Sequence, residues 1–383
     1  MPSRRQRLVT YGIGSTAAAT AVAAALLHPW TRSEGTSVPT PVASDDKHAI
    51  DVVFAIDTTG SMGGLIEGAK RTVWSIATHI RKTDPQADLR IGLVAYRDIG
   101  DVYVTKPFPL TTDLDGVYGE LSRYRADGGG DTPEDVDAAL NDALHMQWRP
   151  GATKMMFVVG DAPPASRGEV PTFDVLAQQA ADRGILVNTI RCGWDPDTAQ
   201  TFQRMASLGK GEFSTISQDG GVQQVATPYD DKLAELSGRI DSTTIIVGDD
   251  STRAAYEGKM AAAAAAPEPA KADRASYYAK TAKAGKRGAA RDEADLVGGV
   301  ATGTMDIATV PSSSLPADLR SKNKDELKAE VARRNAERAS AQKEIEDLSK
   351  QRDKYLEEHT KSDEGGGFDV KVKATVEKQL KKK

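Results

Sequence analysis

The sequence predicts an α/β fold, a doubly wound and mostly parallel sheet, followed by a mainly helical or coiled-coil C-terminal arm. Three observations point there. "AIDVVFAID" (49–57) and "KMMFVVGD" (154–161) are nearly continuous apolar runs, as strands buried on both faces require. Between such runs lie stretches with apolar residues three and four apart, so strands alternate with helices and the sheet is covered on both sides. After Gly248 the composition shifts to alanine and charge, and the strand pattern stops.

Taken in order, residues 1–30 read as a signal peptide or N-terminal membrane anchor. Arg4, Arg5 and Arg7 precede "LVTYGIGSTAAATAVAAALL", an uncharged run of about 20 residues, enough to span a bilayer or to be cleaved at a small-x-small site. Either outcome leaves the rest of the chain outside the cytoplasm, secreted or tethered to the cell membrane. Residues 31–47 are a Pro-, Ser- and Thr-containing linker. The folded part spans 48–245. After the strand 49–57, Met62, Leu65, Ile66, Ala69 and Val73 open an amphipathic helix, with Ser61 as its N-cap. "LRIGLVAYRD" is the second strand, and "DVYVTKPFPL" a third that pairs with it antiparallel. "PEDVDAALNDALHM", "TFDVLAQQAADRG", "AQTFQRMASLG" and "DDKLAELSGRI" read as helices, interleaved with strands at "KMMFVVGD", "ILVNTIRCG" and "GEFSTIS".

Residues 246–300 form an Ala-rich linker or a helix broken at Pro267 and Pro269. The arm, 301–383, carries a long helix at about 323–358 and a lysine-rich tail. Its seam is uneven, because Arg338 and Arg352 fall between Leu327, Val331, Ile345 and Leu348, which predicts a solvated stalk or a weak coiled coil with weak homo-oligomerisation.

Composition narrows the function. The 383 residues carry a formal charge of −5, so no basic field favours nucleic acid. A single cysteine, Cys192, excludes an intrachain disulfide. In a doubly wound sheet, ligands bind beyond the carboxyl ends of the strands, where strand order reverses. Asp57 and Asp161 end two strands, and the glycine-rich loop "RADGGGDTPEDVDAAL" (125–140) brings Asp131 and Glu134 to the same end. With Thr59 and Ser61 these are hard oxygen donors, which suit Mg²⁺ or Mn²⁺ better than imidazole or thiolate would.

The residues Asp57-x-Thr59-x-Ser61 after the first strand, with Asp161 after the fourth, resemble the metal-ion-dependent adhesion site of the von Willebrand factor type A (VWA) domain. "DTPEDVDAAL" is similar to the Asp-x-Pro-Glu loop of integrin β A-like domains, which implies Glu134 as a ligand. The same analogy implies a second cation, Ca²⁺, at Asp98, Asp131 and Glu134. The chain departs from that pattern at Gly129, where those domains have asparagine, and at Gly63-Gly64, where they have an acidic pair. The resemblance implies a metal-dependent protein-binding module, not an enzyme, whose cation completes its shell with an acidic residue of a protein partner. Glu134 in place of a loop threonine adds negative charge, strengthening cation binding and weakening the pull on the outside carboxylate. Two other classes stay open. One is a Mg²⁺-dependent phosphohydrolase, although threonine at 59 removes the second carboxylate such enzymes use. The other is a metal-indifferent coiled-coil oligomerisation protein.

Overall fold

The computed structural model describes residues 48–130, 133–165, 168–283, 291–359 and 366–381, so residues 1–30, read above as a signal peptide or membrane anchor, lie outside the described residues. Six strands form one sheet: β1 (Ala49–Asp57), β2 (Asp88–Tyr96), β3 (Thr105–Thr111), β4 (Thr153–Gly160), β5 (Ile185–Cys192) and β6 (Lys210–Ile216). Their spatial order is β3-β2-β1-β4-β5-β6, parallel except for β3, which runs antiparallel to β2. Pro107 and Pro109 lie in β3 at the sheet's edge, where a missing N–H blunts further pairing.

The alternation along β1 divides the core. Ile50, Val52, Phe54 and Ile56 face α1 (Gly63–Thr83) and α2 (Leu114–Arg123). Val53 and Ala55 face the layer of α3 (Val136–Leu144), α4 (Phe173–Asp182) and α5 (Pro196–Leu208). One local reading is corrected and one element is added. Gly60–Met62 forms a 3-10 turn and α1 starts at Gly63 with Met62 at its cap position, so Ser61 is not the N-cap. Helix α2 is not announced by periodicity, because Gly116 and Gly119 interrupt it; Asp113 starts it by accepting from Gly116 N at 2.9 Å.

The larger correction concerns the arm. Helices α6 (Asp230–Ser242), α7 (Asp250–Ala264), α8 (Glu268–Lys283), α9 (Leu296–Thr302), α10 (Lys324–His359) and α11 (Phe368–Lys381) follow, with the break between α7 and α8 at Pro267. They fold back instead of projecting as a solvated stalk. α8 and α11 pack on α1, and α10 packs on α6 and α8. Leu327, Val331, Ile345 and the partly buried Leu348 sit in intramolecular apolar clusters, so the α10 seam meets its own chain. The arginines that make that seam uneven are the reason. Arg338 Nη1 donates to Asp295 Oδ2 at 2.6 Å, and Arg352 donates from Nε to Asp230 Oδ1 at 2.6 Å and from Nη1 to Asp273 Oδ1 at 2.7 Å. On α8, Arg274 grips Asp115 of α2 with two bonds, 2.8 and 2.7 Å, and Asp241 of α6 at 2.6 Å. All three arginines are buried. Among the described residues no helix is long and apolar enough to cross a membrane.

Breaking such a pair strands a buried charge. Arg274→Ala should therefore destabilise the chain by about 3–5 kcal/mol in urea unfolding, whereas Arg333→Ala, whose ion pairs with Glu330 and Glu337 are exposed, should cost less than about 1 kcal/mol. Equal effects would mean the buried pairs do not hold the C-terminal helices in place.

Candidate functional site

Strand order reverses between β1 and β4, and Asp57 ends β1 at that point. Its carboxylate is fully buried. Oδ1 accepts from Thr59 N at 2.8 Å and from Thr59 Oγ1 at 2.7 Å, while Oδ2 is buried with no hydrogen-bond partner. Close packing shapes the space beside it. A Cβ at Gly160 would lie 2.3 Å from the Tyr96 hydroxyl oxygen and 3.3 Å from Asp57 Oδ2. Burial pushes the Asp57 carboxyl up to about 7 against the opposing Thr59 bonds, and the Asp161 charge adds to the rise.

The glycine-rich loop closes over this carboxylate. Asp127 N donates to Thr58 O and Gly60 N to Gly128 O, both at 3.2 Å, which ties the loop to the turn after β1. Gly128 and Gly129 take φ of 75° and 81°, and a Cβ on Gly129 would sit 3.1 Å from Thr59 Cβ and 3.4 Å from Glu134 Oε1. Glycine at 129 is thus what lets Thr59 and Glu134 approach. Glu134 is held through its backbone, donating to Pro163 O at 3.2 Å and accepting from Ala165 N at 2.8 Å. Its side chain is buried and Oε2 has no partner. Burial, then the charges of Asp57, Asp98, Asp101 and Asp161, push its carboxyl up to about 8. Asp131 lies outside the described residues.

Asp161 follows β4 and is half-buried; its Oδ2 accepts from Gln218 Nε2 at 2.5 Å. Asp98, after β2, is buried and close enough to raise Glu134. Asp101 links that loop to the glycine loop, accepting from Gly129 N at 3.2 Å. Ser61 is exposed at the rim. The structure therefore gathers Asp57, Thr59, Glu134 and Asp161, with Asp98 beside Glu134. Sequence reasoning missed Gln218 and Tyr96; the Gly220-Gly221 pair after β6 is the only local sign of a built turn near Gln218.

Among the described residues, no three His, Cys, Asp or Glu side chains form a group able to hold a metal ion by themselves. Any cation here would take further donors from the Thr59 and Ser61 hydroxyls and from water. The residues fit that demand, since two buried carboxylate oxygens, Asp57 Oδ2 and Glu134 Oε2, make no hydrogen bond, and the Thr59 hydroxyl, which donates to Asp57, has lone pairs to offer. Two of the histidines among the described residues lie away from this site. His48 pairs with Asp84 at 2.8 Å, His79 faces Glu377 at 3.5 Å, and both lie toward the amino ends of the strands. Cys192 is buried, and burial pushes its thiol well up.

Residues 51–228 match the von Willebrand factor A domain family. Among similar proteins, an alpha-protein kinase, vwkA, from Dictyostelium discoideum is 30% identical over 116 residues, 30% of this chain and 18% of that one. The von Willebrand factor A domain-containing protein 7 of Rattus norvegicus is 31% identical over 165 residues, 43% of this chain and 17% of that protein. The matches thus span about a fifth or less of these relatives' lengths. Among solved structures, the SpRpn10 VWA domain aligns with 44% of this chain and 88% of its own at 14% identity and a TM-score of 0.35. The pilus adhesin SpaC of Lactobacillus rhamnosus GG aligns with 45% of this chain and 28% of its own, at 17% identity and a TM-score of 0.36.

Two outcomes follow from the geometry. Both carboxyls are raised from 3.8 and 4.5 to about 7 and 8, so the folded chain keeps protons that the unfolded chain releases. Their stabilisation is fully present below the ordinary values and is lost as pH climbs through the raised ones. In EDTA the Tm should fall by on the order of 5 °C between pH 5 and pH 8; a flat profile would mean the carboxylates are neutralised by other groups. Gly160→Ala should cost about 1–3 kcal/mol through overpacking, and much of that loss should return in a Tyr96→Phe background, read by urea unfolding.

Proposed function

Residues 51–228 being a von Willebrand factor A domain, which belongs to a class of protein-interaction modules, we propose that this chain binds a divalent cation at Asp57, Thr59, Ser61, Glu134 and Asp161 and uses it to engage a protein partner. The observation that carries the reading is the pair of buried carboxylate oxygens without a donor, Asp57 Oδ2 and Glu134 Oε2. Leaving such groups unpaired costs several kcal/mol, and a bound cation would offset that cost. Mg²⁺ or Mn²⁺ fits a donor set made only of carboxylates, hydroxyls and water. A second cation, suited to Ca²⁺, would draw on Asp98 and Glu134, with Asp131, outside the described residues, as the third donor that the sequence implies. The partner presents an acidic residue to the cation. Glu134 leaves that cation more neutralised than a threonine would, so contacts around the rim carry more of the affinity. The N-terminal sequence pattern supports a place outside the cytoplasm, secreted or tethered to the membrane. Binding is the activity this reading assigns, in keeping with the domain's family.

Isothermal titration of the full chain at pH 8 with Mg²⁺, Mn²⁺ and Ca²⁺ tests this. Saturable binding that disappears in Asp57→Ala and in Glu134→Ala is the expected result, and a stoichiometry near two would bring in the second site. Binding that survives both substitutions, or cation-dependent turnover of a phosphate ester, would sink the proposal.

A further inference from the structure

A short turn at 217–221 approaches the candidate site from the β6 side. Gly220 and Gly221 take φ of 85° and 60°, conformations that need glycine. The turn lies directly on α1: a Cβ at Gly64 would fall 2.6 Å from Asp219 Cα, and one at Gly68 would fall 2.8 Å from Val222 Cγ2. Gly64, one of the glycines that stand where integrin-like domains carry acids, is thus a clearance position for this turn. At its tip, Gln218 Nε2 donates to Asp161 Oδ2 at 2.5 Å and reaches the Ser61 carbonyl oxygen at 3.4 Å. One neutral side chain therefore bridges the residue after β4 and the turn after β1.

The other side of the turn is held from far along the chain. Phe368 N, at the start of α11, donates to Gly220 O at 2.8 Å. The backbones touch so closely that a Cβ at Gly367 would meet Gly221 O at 2.1 Å. Phe368 is buried against Phe54 of β1, ring centres 6.0 Å apart, and Val372 and Val376 are buried below it. Near the far end of α11, Gln379 exchanges amide hydrogen bonds with Asn188 of β5 at 2.7 and 3.3 Å. The helix is thus fixed to the sheet at both ends.

We propose that Gln218 is a positioning residue for Asp161, seated by helix α11, an assignment that rests on the cation reading of the site given above. Asp161 is only half-buried, and its carboxylate would otherwise turn freely toward water. The amide takes one lone pair of Oδ2 and leaves the rest of the carboxylate for the site. Being neutral, it holds the group without cancelling the charge that attracts a cation. Lysine at 218 would cancel that charge, and asparagine is one methylene too short to reach. Groups that orient a metal-binding carboxylate in this way change affinity without touching the ion.

The test is a double-mutant cycle in the full chain, with Mn²⁺ as the titrant and Tm in EDTA as the control for folding. Gln218→Ala should weaken Mn²⁺ binding by about 10- to 100-fold and leave the Tm unchanged, since the residue is exposed. Gly367→Ala, which forces α11 away from the turn, should weaken binding comparably, and the double variant should be no weaker than the poorer single. Should Gly367→Ala fold badly, Phe368→Leu keeps the burial while loosening the same anchor. Unchanged affinity in Gln218→Ala would overturn the role of Gln218, and losses that multiply in the double variant would overturn the role of α11. A wild-type chain that binds no Mn²⁺ would remove the cation reading itself, and this assignment with it.

Discussion

A fully buried carboxylate with one unsatisfied oxygen, Asp57, is the constraint around which the rest is arranged. Removing such a group from water costs several kcal/mol unless it is paired or protonated. The chain satisfies one oxygen locally with two bonds from Thr59 and then places a second carboxylate, Glu134, in the same enclosure instead of a base. That choice raises the cost. A proton on either carboxyl offsets that cost at low pH, and both carboxyls are raised accordingly. Glycine at 129 and 160 shapes the enclosure, because a methyl at either place would close the space or push the carboxylates apart.

A domain that carries such a cost needs stability from elsewhere, and the C-terminal helices supply a large apolar and ionic contact. The side of the sheet that holds α1 is roofed by α8 and α11, adding Tyr277, Phe368, Val372 and Val376 to the main core. Buried arginine–aspartate pairs then fix which helix meets which. Their net contribution is modest, since desolvation offsets much of the attraction, but a misplaced helix would leave Arg274, Arg338 or Arg352 buried without a partner. Specific docking, more than raw stability, is what these pairs add. Burial alone would raise the Asp115 carboxyl, yet Arg274 beside it holds it below the ordinary range, so this contact stays ionised.

The sheet was legible because strands buried on both faces leave uninterrupted apolar runs, and a carboxylate at the end of such a run is conspicuous. Asp57 and Asp161 stand out for that reason, and Glu134 through the glycines before it. The arm was not legible in the same way. An arginine in a helical seam looks the same whether it meets solvent or a buried aspartate more than 40 residues away, as Arg338 meets Asp295. Gln218 left no trace either, being a single polar residue in a turn. The Gly63-Gly64 pair reads in sequence as a missing acidic pair, whereas in space Gly64 makes room for the backbone of Asp219.

Strand β1 joins the candidate site to the C-terminal helices. Asp57 ends it at the candidate site, and three residues earlier Phe54 receives Phe368 from α11. The same helix start is bonded to the turn that carries Gln218, so the carboxylates and the C-terminal anchor share one strand and one turn. In a close-packed interior a shift at one of these points is transmitted and not absorbed. Separation of α11 from the sheet would open the Phe54 contact and release the glycine turn together, changing the support of both Asp57 and Asp161. The C-terminal helix and the carboxylates of the site thus rest on the same strand and the same turn.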